Sequence, residues 1–265
     1  MEGFKSITIT FLLAGGLFTS AAPKLSSTKN PIRVTTEENV VSIHADQQLL
    51  LRYSYGSAAS KPYIQQLSTP RGVNVLRDAP ADHLHHHGLM LAVGVDSVSF
   101  WVERQDSGRQ VHRCFTDVRV DRRDDVPYAR LAEHIDWLNP GNRELLLKEL
   151  RTIEVYRVKD FQVTLLTWQS SFELPAGAKA ATLTGRNYYG LGMRFLKSMD
   201  SGGRFCNADG KTGEVVRGDE TLVRSTWCAY TANANGKPVT VAIFDHPDNP
   251  RHPATWFTMA KPFAY

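Results

Sequence analysis

The chain has 265 residues, 42% of them apolar and 22% charged, which is the balance of a folded globular protein and not of a disordered one. Its 31 Lys and Arg against 27 Asp and Glu leave a net charge of +4, too small and too dispersed for an electrostatic nucleic-acid binder. Its three cysteines, Cys114, Cys206 and Cys228, stand too far apart for a disulfide framework or a paired-cysteine zinc site.

In chain order, the first feature is Lys5 followed by an apolar run from Ile7 to Phe18 and then the small residues Thr19 to Ala22. That order predicts a signal peptide over 1–21, cut after Ala21, and hence a periplasmic or secreted protein. The run has about 12 apolar residues where a spanning helix needs about 20, so no stable membrane insertion is expected once the signal is removed. No cysteine stands near the cut to carry a lipid. A polar, flexible lead is expected over 22–31, and a single domain over 32–265.

From Ile32 onward the chain reads as β-structure. Period-two alternation or β-branched and aromatic runs mark Gln48 to Tyr53, Arg109 to Val120, Phe161 to Phe172, Thr221 to Tyr230 and Pro238 to Phe244. Turn signals close them at Pro70-Arg71-Gly72, Asn139-Pro140-Gly141, Pro175-Ala176-Gly177 and Asn235-Gly236. Asn142 to Leu150 is rich in helix formers, yet Thr152 and its successors favour a strand, and a strand is expected there. The expectation is an all-β, large antiparallel two-sheet sandwich. Internal repeats, Gly-rich phosphate loops and heptads are absent from the sequence, which removes nucleotide and coiled-coil readings.

Four of the nine histidines fall in Asp82-His83-Leu84-His85-His86-His87-Gly88. An extended backbone there would project His83, His85 and His87 to one face and His86 to the other, converging imidazoles for acid/base work or metal binding. A solvated turn is the structural alternative. His83 and His85 are the candidate metal ligands, although no HExxH motif or carboxylate triad accompanies them; a divalent metal is a variant and no cofactor is required. Phe100-Trp101-Val102-Glu103 pairs an aromatic ring suited to sugar faces with a carboxylate suited to proton transfer, against the alternative of a core Trp with a surface Glu. Asp245 to Pro253 is a loop stiffened by three prolines, in which His246, Asn249 and Arg251 could bind a ligand. Tyr188 to Arg194 alternates Gly with larger residues, and Arg194 could reach an anion or close an ion pair.

These residues resemble the bacterial PmoA family: Lys61-Pro62-Tyr63, Thr69-Pro70 with Gly72, Asp82-His83 through Gly88-Leu89, Phe100-Trp101, Gly190 with Arg194, and Asp245-His246-Pro247 through Asn249 to Trp256. His87 and Leu84 depart from the residues common in that family, Arg and Pro, so His87 takes no role from the resemblance. Relatives continue beyond the position of Tyr265, which implies a C-terminally truncated chain. The methane monooxygenase subunit sharing the label is a multi-helix membrane protein, and methane oxygenation does not fit a chain with no spanning segment after its signal. The resemblance implies instead a supersandwich similar to galactose mutarotase-like proteins.

The functional expectation is an exported protein that binds a carbohydrate ligand and acts on it by acid/base chemistry, as a hydrolase, lyase or epimerase. His83, His85, His86 and Glu103 would be catalytic, and Trp101, Arg194, His246, Asn249 and Arg251 would hold substrate. A noncatalytic glycan-binding module of the cell envelope is the alternative.

Overall fold

A computed structural model describes residues 5–15, 31–56, 58–141, 144–158, 161–259 and 263–264. The strands in chain order are β1 (Lys5–Gly15), β2 (Ile32–Glu37), β3 (Val40–Ala45), β4 (Gln48–Ser54), β5 (Tyr63–Leu67), β6 (Leu89–Ala92), β7 (Gly94–Val95), β8 (Val98–Ser99), β9 (Arg109–Arg123), β10 (Val126–Leu138), β11 (Leu145–Arg157), β12 (Val163–Glu173), β13 (Leu183–Thr184), β14 (Gly190–Arg194), β15 (Arg204–Asn207), β16 (Glu214–Arg217), β17 (Glu220–Arg224), β18 (Trp227–Ala234), β19 (Lys237–Asp245), β20 (Thr255–Met259) and β21 (Phe263–Ala264). A single 3₁₀ turn, Lys197–Met199, is the only helical element among the described residues.

Two antiparallel sheets make the sandwich. One has eight strands in the order β15-β18-β19-β1-β12-β11-β10-β9, the other ten in the order β16-β17-β20-β21-β14-β6-β5-β4-β3-β2, and a small third sheet joins β13, β7 and β8. The core between them collects Trp137 and Trp168 from the eight-stranded sheet and Trp256 from the ten-stranded one, all at most 2% exposed. Period two decides what each strand contributes. On β6, Leu89 and Leu91 enter that core, whereas Met90 and Ala92 join a second cluster on the outer face with Tyr63, Trp101 and Phe257.

The expectation of an all-β sandwich is met. Asn142 and Arg143 lie outside the described residues, and from Leu145 the strand expected there is present as β11, with Leu147 paired to Trp137 on β10 and Leu150 to Ser171 on β12. One expected strand is corrected: Thr221 to Tyr230 is two elements, β17 in one sheet and β18 in the other, because the chain changes sheets at Ser225 and Thr226. The expected cut at Ala21 and residues 22–30 of the expected lead lie outside the described residues. Residues Lys5–Gly15 of the expected signal form β1, paired with both β12 and β19.

Candidate functional site

A buried guanidinium fixes the segment from which the site grows. Arg151 on β11 lies between the sheets with its Cζ 4.5 Å from the Trp168 ring centroid. All five of its N–H groups are used: Nε and Nη2 donate to the two Glu149 oxygens at 2.9 Å each, Nη2 also to Gln110 Oε1 at 3.1 Å, and Nη1 to Tyr53 Oη at 3.1 Å and to the Pro62 carbonyl at 2.9 Å. A buried cation is tolerable only with that degree of satisfaction. Gln110 adds bonds from its backbone N–H to Ser60 O and from Nε2 to Leu91 O, both 2.8 Å. Segment 60–63 is therefore held from the core side, leaving Ser60, Lys61 and Tyr63 to serve the outer face.

There they meet Glu103. Its Oε1 accepts from Lys61 Nζ at 2.7 Å, Ser60 Oγ at 2.8 Å, Ser60 N–H at 3.2 Å and His87 Nε2 at 3.1 Å. His87 Nδ1 lies 2.7 Å from Asp78 Oδ1, and Asp78 Oδ2 accepts from Tyr63 Oη and Gln65 Nε2, each at 3.0 Å. The Tyr63 ring stacks on the His87 ring at 4.2 Å. Asp78, His87, Glu103 and Lys61 thus form a chain of alternating charge.

Electrostatics follow from this geometry. Burial pulls His87 toward the neutral form, but hydrogen bonds to Asp78 and Glu103 outweigh it and hold its pKa above the usual value. With a carboxylate oxygen on each ring nitrogen, the surroundings favour the protonated ring, in which both nitrogens donate. Burial works against Glu103 as well, yet His87 and Lys61 hold its carboxyl far below the usual carboxylate range. Lys61, whose side chain is fully buried, is lowered by desolvation in spite of Glu103.

The histidine run itself corrects an expectation. It is not extended: His83 N–H donates to Pro80 O at 2.8 Å and His86 N–H to His83 O at 2.9 Å, so the segment winds through turns. Winding brings His83 and His86 into a stack at 4.6 Å, sets His85 edge-on to His86 at 4.5 Å, and turns His87 away toward Asp78. His85 and His86 lie 6.4 and 5.5 Å from the Trp101 ring. Burial, then the Lys61 charge, lowers the His85 pKa to about 4, and burial, then His85, lowers that of His86 to about 3. Both are neutral imidazoles near pH 7. The turn is followed by Gly88, where a Cβ would stand 2.2 Å from the Ile64 carbonyl of β5, so the close approach of β6 to β5 requires glycine.

The other expected site residues divide. Glu103 is joined to the site through His87 and Lys61. Phe100 and Trp101 follow β8 as an irregular segment: Phe100 enters the core against Trp137 at 4.7 Å, and Trp101 packs outward under Tyr189, stacked at 5.0 Å and 8°. Trp101 is 2% exposed, so it supports the histidines and offers no open face to a sugar. Arg194 is buried beside the turn, its backbone N–H donating to Gly88 O at 2.8 Å and its charge felt by His86 and Asp82.

His246, Asn249 and Arg251 share one loop. Their loop leaves β19 of the eight-stranded sheet and is organised around Asp245, which accepts from Asn249 Nδ2 at 2.6 Å and Ala254 N–H at 2.7 Å and pairs with His252 Nδ1 at 2.7 Å. Its outward contacts run to Arg224, which donates to His252 O and Pro253 O. His246 instead borders a shallow hollow of about 430 Å³ with Thr10, Leu165, Phe244 and Pro247. The Asp245 carboxylate is thus spent on the loop's own fold. Among the described residues no group of three or more His, Cys, Asp or Glu is placed to hold a metal ion.

Sequence reasoning missed Ser60, Lys61, Asp78 and Arg151, and left His87 without an assigned role. Lys61-Pro62-Tyr63 stood out only through the family resemblance, and nothing in the spacing of Asp78 and Arg151 links them to the histidines.

Residues 40–265 match the model of a family of unknown function, DUF6807. No curated protein and no solved structure matches the chain. The family match covers most of the sequence and every residue of the charge chain and the histidine turn, and the chain therefore belongs to the DUF6807 family.

Proposed function

We propose that this chain is an exported protein that performs acid/base chemistry on a carbohydrate at the histidine turn, on the outer face of the ten-stranded sheet. The observation that carries this reading is the contrast between neighbouring imidazoles: His87 sits between the Asp78 and Glu103 carboxylates, at 2.7 and 3.1 Å, and is pushed up, while His85 and His86 pack on each other and His86 on Trp101, and burial pushes them down, to about 4 and about 3. Titratable neighbours driven apart in this way are the usual assignment of acid and base. His87 supplies the proton, from the Nε2 that it shares with Glu103, to a ligand oxygen seated at that carboxylate. His85, neutral and half-buried, accepts the proton released by a ligand hydroxyl or ring C–H, and Glu103 holds the hydroxyl by its ionised carboxylate. Asp78 and Tyr63 position His87. The resemblance to galactose mutarotase-like sandwiches supports a sugar as ligand, by analogy of fold.

A noncatalytic glycan-binding module is the second reading, favoured by the completeness of the charge chain, whose members are all partnered within the protein. Turnover separates the two. The purified full chain is presented to a panel of glycans and monosaccharides, with binding and product measured on the same samples. The enzymatic reading expects product from at least one sugar and its loss in His85→Asn with affinity retained. Saturable binding with no product from any sugar moves the binding module ahead.

A further inference from the structure

The eight-stranded sheet contains a lane one strand wide. β12 pairs on one side with β11 and β19 on one side with β18, yet β12 and β19 do not pair with each other; their facing edges both bond to β1. The lane crosses the core, since Leu166 and Trp168 on β12 and Val239, Val241 and Ile243 on β19 are all at most 2% exposed.

We propose that the lane between β12 and β19 is a strand-accepting site for an extended, apolar, proline-free peptide segment, with Lys5–Gly15 as its occupant. Two open edges offer N–H and C=O groups on both sides of an incoming strand, and unpaired edges in mid-sheet are a strong template for strand addition. The register is long: ten residues of β1 pair with β12 and seven with β19, antiparallel to both. The occupant's sequence fits the lane. Ile7, Ile9, Phe11 and Leu13 alternate with Ser6, Thr8, Thr10 and Leu12, a strand pattern that an export leader has no need of. Phe11 stands in register with Leu166 and Ile243, and Leu13 with Thr164 and Val241.

The consequence concerns export. Removal of residues 1–21 as a signal vacates the lane and divides the sheet into β15-β18-β19 and β12-β11-β10-β9. A processed chain then needs a strand of the same chemistry in that position.

Hydrogen exchange on the full chain tests this. Amides of Ile7 to Leu13 are expected to be protected to the same degree as those of Leu165 to Phe172 and Val239 to Phe244. Free exchange over Ile7 to Leu13 with protection retained in the other two segments overturns the proposal. Phe11→Pro removes an N–H from the lane strand, and Phe18→Pro, beyond it, is the control. Phe11→Pro is expected to raise exchange in the β12 and β19 segments more than tenfold, the control is expected not to, and a synthetic peptide of residues 5–15 added to Phe11→Pro is expected to restore protection. Unchanged protection in Phe11→Pro, or a peptide without effect on it, overturns the proposal.

Discussion

The sharpest quantitative consequence of the site is an asymmetry between its two central charges. Lys61 Nζ is fully buried, 2.7 Å from Glu103 Oε1, and its other acceptor is the Trp101 carbonyl at 3.4 Å. At that separation the pair attraction is of order 6 kcal/mol with an effective dielectric constant near 20, against a desolvation cost of several kcal/mol for the ammonium. Glu103→Gln keeps the shape and one acceptor but strands the cation, and the expected loss of unfolding free energy is about 3 kcal/mol, the lower end for a broken buried pair. Lys61→Met leaves Glu103 partly exposed and still bonded to His87 and Ser60, so about 1–2 kcal/mol is expected. The double variant, with no stranded charge, should be more stable than Glu103→Gln alone. Urea unfolding at pH 7 with an unchanged m-value reads all three. The sign with pH adds a check: in Glu103→Gln the folded pKa of Lys61 falls further below its ordinary 10.5, the unfolded chain binds more protons, and raising pH from neutral recovers part of the loss. Equal losses in the two single variants, or a double variant less stable than Glu103→Gln, would refute the stranded-cation reasoning.

The histidines also shape stability against pH. His87, raised from 6.5, stabilises fully below that value and loses its contribution as pH rises through its folded pKa, whereas His85 and His86, lowered from 6.5 to about 4 and about 3, favour the unfolded chain progressively as pH falls below 6.5. Stability measured by denaturation from pH 4.5 to 8.5 should therefore peak near 6.5 with slopes below about 1.4 kcal/mol per pH unit for each group, and a monotonic profile sinks the assignment. Replacing both His83 and His85 by Asn should shift unfolding by no more than about 1 kcal/mol, since His83 is half exposed and His85 partly exposed, whereas His86→Asn, in the buried stack, should cost more; the reverse order in thermal or urea melts would place His83 and His85 in the core.

The β-architecture was legible in the chain itself. Alternation along Gln48 to Tyr53 or Arg109 to Val120 is a local property, because period two decides which face of a strand is apolar whatever lies beyond it. The histidine turn was legible as a cluster, since seven consecutive residues carry it, and Glu103 as a carboxylate beside an aromatic pair. Conformation within the cluster was not legible: the bonds to Pro80 and His83 that wind it depend on the neighbouring backbone, and an extended reading sent His87 to the wrong partners. Nor could the sequence show that the loop after β19 is organised around its own Asp245, because a polar loop after a strand looks the same whether it faces a ligand or folds onto itself. The role of Arg151 is the plainest case of tertiary decision. Its acceptors Tyr53 and Pro62 lie 98 and 89 residues away in sequence, and only the packing of one sheet on the other brings a β11 guanidinium under the segment that presents Lys61. Local periodicity thus determines which residues are buried, while the partners of a buried charge are set by long-range sheet packing, where desolvation forces every donor to find an acceptor.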